Sequence, residues 1–172
     1  VAERDPSIEV TLCSQESVSY YPRPRLIELV ACHVKPEGMP QYPESWYTQR
    51  HIAMRLGCQV TAIRPAKHEV VFQDGSVHPY DRLVLATGAS SFVPPIPGAN
   101  LAGVHTLRTL TDGLALCGRA AQAKRAVILG GGLLGLDTSS ALLNYGLEIT
   151  VVEALPRLLP RQLDHEGAAV LQ

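Results

Sequence analysis

The sequence predicts an α/β chain with two doubly wound, Rossmann-like parallel units and a small antiparallel hairpin or meander. Three observations predict it. Residues 126–129 are an unbroken apolar run, followed by Gly130-Gly131-Gly132-Leu133-Leu134-Gly135, a helix-like stretch to Gly146, and a β-rich run at 149–152 that ends in Glu153. A shorter strand-like run at residues 8–13 reads as the second strand of an earlier unit of the same kind, whose first strand and glycine turn are missing. Between them, Asp74-Gly75 separates two β-rich runs, a two-residue hairpin signal.

In chain order, residues 1–5 read as the tail of a helix, and Asp5-Pro6-Ser7 is a turn former ahead of the first strand. The prolines of Tyr20-Tyr21-Pro22-Arg23-Pro24-Arg25-Leu26 deny helix, and a short helix is expected over 26–31. The amphipathic stretch 46–56 is expected to be helical, with Gly57 just past its end, and 58–63 to be a strand. Residues 69–72 and 76–78 supply the hairpin arms. Residues 81–85 are expected as a buried strand running into Ala86-Thr87-Gly88-Ala89, and Pro94-Pro95-Ile96-Pro97-Gly98 reads as an interdomain linker. Residues 109–123 are helical with Thr109 or Thr111 as the cap, and another helical pattern opens at Asp164. Both termini read as cut, so the chain is expected to be a fragment of a longer protein.

The stretch 126–153 carries the chemistry. Strand, glycine turn, helix, strand and acid in register form a dinucleotide-binding βαβ unit. Gly130 allows the tight turn, Gly132 lets the backbone approach a pyrophosphate, and Gly135 lets the helix pack close to the strand. The helix start offers N–H groups and the positive end of its dipole to the phosphates, Gly131, Leu133 and Leu134 among them. Glu153 lies 18 residues after Gly135, where a carboxylate accepts hydrogen bonds from ribose hydroxyls and repels a 2′-phosphate. NAD(H) is therefore expected over NADP(H), with Arg157, four residues on, as the one residue that would soften the preference.

Composition narrows the alternatives. The 172 residues are 46% hydrophobic with a formal net charge of −1, and no Lys/Arg cluster supplies a nucleic-acid footprint. No uninterrupted apolar run approaches the ~20 residues that cross a bilayer. Cys13, Cys32, Cys58 and Cys117 form no CxxC or CxxxxC pair and have no zinc-type spacing with the six scattered histidines. They read as reduced thiols of a cytoplasmic protein, with no metal site and no signal peptide.

The duplicated strand–helix–strand–acid pattern, with Ala86-Thr87-Gly88-Ala89 and Pro94–Gly98 between its halves, resembles the FAD-dependent pyridine nucleotide-disulfide oxidoreductase superfamily. Within it, Tyr21-x-Arg23-Pro24-Arg25-Leu26 and the run from Arg157 to Asp164 look most like flavoprotein modules of nitrite reductase large subunits and of rubredoxin- or ferredoxin-reductase-like proteins. The resemblance implies a truncated FAD domain at 1–98 and an NAD(P) domain at 99–172. It implies that Gly130, Gly132, Gly135 and Glu153 hold NAD, that Ala86, Thr87 and Gly88 lie against FAD, and that Arg23 and Pro24 pack by the flavin ring. Backbone around Val60 would contact adenine. Taken alone, Arg23 also reads as a solvated loop charge, Thr87-Gly88 as an ordinary turn, and Glu28 as a surface carboxylate. The sequence departs from the family pattern in three ways. Relatives place an acid at the end of the first visible strand, where Ser14-Gln15 stand and Glu16 comes one step late. Asp137 and Ser139 replace a Glu and a Gly or Ala. The FAD glycine fingerprint is missing.

The resemblance implies an NADH-dependent flavoprotein oxidoreductase. Its partner is expected to be an electron-acceptor protein or a downstream redox domain of the parent chain, with a homodimer also expected. Residues 10–29 hold only Cys13, so no CxxxxC dithiol is available there to relay electrons to a disulfide. The competing readings are a non-catalytic NAD(H)-binding module and an incomplete fragment without flavin.

Overall fold

The computed structural model describes Asp5 and residues 7–171. Of the expected helix tail at residues 1–5, residues 1–4 lie outside them and Asp5 is not helical. The α/β class is as expected, and the chain divides into two compact units. The first holds the described residues up to Pro22 together with Pro40–Ser90, and the second holds Arg23–Met39 with the residues from Ser91 on. Among the described residues no helix is long and apolar enough to cross a membrane.

In the first unit, β1 (Val10–Cys13) pairs in parallel with β2 (Ile52–Arg55), Val10 facing Ile52 and Cys13 facing Arg55. This overturns the expected helix over 46–56. The helix, α2, is confined to Glu44–Thr48, His51 turns the chain at φ +53°, and the next four residues become strand. Ile52, Met54 and Arg55 suit either structure locally. The ladder with β1 decides, because tertiary pairing overrides weak propensity. Gly57 does have a positive φ, +68°, but it follows a strand and donates to the Glu16 carbonyl rather than closing a helix.

A three-stranded antiparallel meander follows, β3 (Val60–Arg64), β4 (Glu69–Phe72) and β5 (Val77–Pro79), in that order. The Asp74-Gly75 hairpin is present, but its loop has three residues. The Phe72 N–H donates to the Ser76 carbonyl, leaving 73–75 as the loop, and Gly75 takes φ +81°. Asp74 fastens it by accepting the Ser76 N–H at 2.9 Å. Phe72 is the buried centre of this unit, with the Arg55 guanidinium 4.0 Å over its ring.

Residues 81–85 are not the expected buried strand. They form no ladder among the described residues, and Val84 is 84% exposed. An apolar run becomes a central strand only when neighbouring strands satisfy its backbone on both sides and cover its faces. Nothing described supplies either.

In the second unit, α1 (Arg25–Val30) packs on α3 (Leu110–Ala120) and α4 (Leu133–Leu143). The core is Val30, Ala31, Ala120, Ala141, Leu142 and Leu147. Thr109 caps α3 through a reciprocal box with Asp112, as one of the two expected threonines. Strands β6 (Arg125–Leu129) and β7 (Glu148–Val152) pair in parallel, Arg125 facing Glu148 and Leu129 facing Val152. Gly146 makes the turn into β7 at φ +74°. The βαβ unit is therefore present, with one correction. Helix α4 covers only the face of Ala126, Ile128 and Ile149, while Val127 and Leu129 on the other face are each 61% exposed. The closing helix α5 spans His165–Leu171.

Candidate nucleotide-binding site

The turn between β6 and α4 is built by three glycines with three different physical needs. Gly130 sits at φ +112°, a conformation that side chains rarely adopt, while its N–H stays in the ladder with Val152 at 2.8 Å. Gly135 is needed for packing, since a Cβ there would lie 2.1 Å from the Gly130 carbonyl oxygen. Gly132, the N-cap of α4, has an ordinary φ of −81°, and a Cβ there would meet nothing within 4 Å. No described atom therefore demands a glycine at 132, and the space beside it is open.

The helix that begins at Gly132 leaves its first donors without protein partners among the described residues. The first helical bond of α4 runs from the Leu136 N–H to the Gly132 carbonyl, and no side chain caps the helix. The amides of Gly132, Leu133, Leu134 and Gly135 thus lack an acceptor among the described residues, as the opening turn of a helix must unless something outside it supplies one. Two hydroxyls further along α4 are satisfied internally. Thr138 donates to the Leu134 carbonyl at 2.7 Å, and Ser139, standing where the family pattern has Gly or Ala, donates to the Gly135 carbonyl at 2.8 Å. Asp137 is exposed.

Glu153 leaves the end of β7 and returns to the turn. Its Oε2 accepts the Gly131 N–H at 2.7 Å and its Oε1 accepts the Leu155 N–H at 2.9 Å. The Leu155 amide first, and the Gly131 amide second, hold the carboxyl below the ordinary carboxylate range. A carboxylate has about four lone-pair sites, so two remain for a ligand. Arg157 is committed elsewhere. It donates through Nε to the Leu163 carbonyl at 3.1 Å and through Nη2 to the Pro160 carbonyl at 3.0 Å, bracing its own loop.

That loop is the part sequence reasoning missed. Leu159, at φ +46°, donates its N–H to the Gly131 carbonyl at 2.9 Å, and a Cβ on Gly131 would lie 2.6 Å from Leu158 Cδ2. Gly131 is therefore glycine because the 157–163 segment and Glu153 close on it. The signal lay in the run from Arg157 to Asp164, which the resemblance had singled out without a role.

The residues expected on the flavin side are not gathered in one unit. Glu16, Val60, Ala86, Thr87 and Gly88 belong to the first, and Arg23 and Pro24 to the second. Glu16 follows β1 and its carboxylate accepts the Tyr21 hydroxyl. Val60 opens β3, an edge strand, so one side of its backbone is turned away from the meander. Residues 86–88 are exposed and irregular. Arg23 donates to the Arg108 carbonyl at 3.1 Å, and Pro24 is the N-cap of α1. Glu28 pairs with Arg25 at 3.3 Å on the surface.

A family model described as pyridine nucleotide-disulphide oxidoreductase matches residues 2–172. The chain belongs to this family. The expected cofactor pair of FAD and NAD(H) is that of its family. It is 42% identical over 163 residues to the nitrite reductase [NAD(P)H] large subunit of Klebsiella oxytoca, a match covering 95% of this chain and 17% of that protein. It is 36% identical over 164 residues to a rubredoxin-NAD(+) reductase of Pseudomonas putida, covering 95% of this chain and 43% of that protein. Among solved structures, the ferredoxin reductase for the CYP199A2 system from Rhodopseudomonas palustris superimposes with a TM-score of 0.89 at 27% identity, over 98% of this chain and 42% of that one. The chain thus spans less than half the length of each of these relatives.

Proposed function

We propose that the chain is the cofactor-handling part of an NADH-dependent FAD oxidoreductase of the nitrite reductase and rubredoxin reductase type. The carrying observation is the open side-chain position at Gly132, where α4 begins with four amides that have no acceptor among the described residues and where the Glu153 carboxylate holds the adjoining Gly131 amide. In this reading residues 99–172 hold NADH and residues 1–98 contribute to the FAD site. When bound, the two cofactors supply hydride exchange between nicotinamide and flavin, chemistry for which the protein provides orientation and electrostatics.

The chain's own residues bind and orient. The amides of Gly132, Leu133, Leu134 and Gly135 cradle the diphosphate at the positive end of α4. Glu153, held ionised by two backbone N–H groups, accepts the adenosine ribose hydroxyls. It disfavours a 2′-phosphate, and Arg157, tied to its own loop, does not offset it. On the flavin side, Arg23 and Pro24 pack by the ring, the backbone of Ala86, Thr87 and Gly88 lies near the cofactor, Val60 offers strand-edge backbone to adenine, and Glu16 stands beside the FAD ribose. Electrons leave to a redox protein or to a metal centre in the same parent chain.

A second reading, an NAD(H)-binding module without turnover, is favoured by one observation: residues 86–88 are exposed and irregular rather than set at the end of a strand. Anaerobic addition of NADH to the purified, FAD-supplemented protein separates the two. Bleaching of a protein-bound flavin band supports the oxidoreductase. NADH binding with no retained flavin supports the second reading, and no binding of either overturns both.

A further inference from the structure

Parts of three helices of the second unit meet around the Leu29 carbonyl and the Tyr145 phenol. Cys32 Sγ donates to the Tyr145 hydroxyl at 3.1 Å, and the Cys32 backbone N–H donates to the Leu29 carbonyl at 3.0 Å. Cys117 also donates to the Leu29 carbonyl at 3.7 Å, and Asn144 Nδ2 donates to the Ala31 carbonyl at 3.0 Å. The turn after α1, the body of α3 and the end of α4 are therefore pinned at one point. The two sulfurs are separated in sequence by 84 intervening residues (33 to 116). Because the Cys117 thiol and the Cys32 N–H share the Leu29 oxygen, the Cys117 sulfur lies within about two hydrogen-bond lengths of the Cys32 backbone.

The backbone at Cys32 is a second, independent sign. The Cys32 N–H donates to the Leu29 carbonyl at 3.0 Å and the His33 N–H to the Glu28 carbonyl at 2.8 Å, the Schellman closure of a helix. Cys32 occupies the left-handed position of that motif at φ +61°, which glycine ordinarily fills at no steric cost. Capping α1 does not need a side chain there. The strained residue instead carries a sulfur to Tyr145, and strain retained at one residue points to a use for its side chain.

We propose that Cys32 and Cys117 are a reversible dithiol–disulfide pair, a modification site for small-molecule disulfides such as oxidised glutathione. The proposal does not rest on the nucleotide reading. Cys32 is exposed and is the entry thiol, while Cys117 is half-buried and resolves. The Cys32 thiolate attacks one sulfur of the external disulfide, whose S–S bond breaks, and the departing thiolate takes up the proton that Cys32 released. The Cys117 thiolate then attacks Cys32 Sγ in the mixed disulfide, a second small thiol leaves and is protonated, and the intramolecular S–S bond forms. The protein dithiol is oxidised by two electrons, and the external disulfide is reduced to two thiols. Burial, then the two thiols, raise the Tyr145 phenol well above its ordinary value, so it keeps its proton beside the Cys32 sulfur.

The test is peptide mapping of the purified protein, reduced, freed of reductant and incubated with oxidised glutathione under denaturant-free conditions. The expected product has lost two hydrogens in mass and links the peptides of Cys32 and Cys117, and thioredoxin-type reductants reverse it. Cys117→Ser is expected to stop at one glutathione on Cys32, and Cys32→Ser to leave Cys117 unmodified on the same timescale. A merely structural hydrogen-bond cluster would not trap that intermediate. Wild-type protein that stops with glutathione on Cys32, forms its only disulfide through Cys13 or Cys58, or remains fully reduced overturns the proposal.

Discussion

Gly132 and Gly135 lie three residues apart in one motif, yet their substitution is expected to fail in opposite ways. A Cβ at 132 meets open space, whereas a Cβ at 135 lies 2.1 Å from the Gly130 carbonyl oxygen. For Gly132→Val, the unfolded chain loses entropy worth about 0.4–1 kcal/mol, which offsets a similar loss at the N-cap, so stability changes little. Binding changes a great deal, because the new side chain fills the space where the amides present themselves. Charge-assisted hydrogen bonds contribute about 1.5–3 kcal/mol each. Losing two costs at least about 3 kcal/mol, roughly a hundredfold in Kd. For Gly135→Ala the backbone must yield by more than an ångström, an overpacking cost of about 3 kcal/mol, against which alanine's helix propensity returns about 1. The remaining 2 kcal/mol lowers Tm by about 4–8 °C for a chain of this size. Thermal melts and NADH fluorescence titrations on both variants read the two effects separately. If Gly132→Val binds NADH within threefold of the wild type, or melts as low as Gly135→Ala, the placement of the diphosphate is wrong.

Two further predictions use neighbouring residues. Glu153→Arg removes the acceptor for the Gly131 and Leu155 amides and places a cation beside the ribose site, so the ratio of NADH to NADPH affinity should fall by at least about tenfold. An unchanged ratio, measured with both nucleotides under one condition, would show that the ribose does not lie there. Thr109→Ala removes the hydroxyl that accepts the Asp112 N–H at 3.1 Å, leaving the backbone N–H of residue 109 to donate to Asp112 at 2.9 Å, and should cost about 1 kcal/mol, or about 2–4 °C in Tm, with NADH affinity unaltered. A loss of affinity in this variant would mean that α3 does more than support the core.

The parts of the fold legible in the sequence are those whose causes are local. Thr109 and Asp112 cap α3 within one turn of chain, Asp74-Gly75 makes its own hairpin, and the glycine turn needs only Gly130, Gly132 and Gly135 at fixed spacing. The two chief misreadings have non-local causes. Residues 52–55 pattern as helix and become strand because β1, some forty positions earlier, offers them a ladder. Residues 81–85 pattern as a buried strand and stay irregular because burial is a property of the neighbours rather than of the segment.

The same distinction explains what was readable in the candidate site. Gly130, Gly135 and Glu153 have roles that follow from spacing, and the structure brings them together at one turn. Gly131 was noted as part of the run without a need of its own, because its need is set by Leu158 and Leu159, some 27 residues on (158 − 131). The Cys32, Cys117 and Tyr145 cluster was illegible for the same reason, since a cysteine count sees only spacing along the chain and these residues are brought together by three helices. Gly132 is the reverse case. Its glycine can be read from the sequence but is required by no atom among the described residues, so the proposed diphosphate, rather than packing, has to account for it, and Gly132→Val tests that account directly.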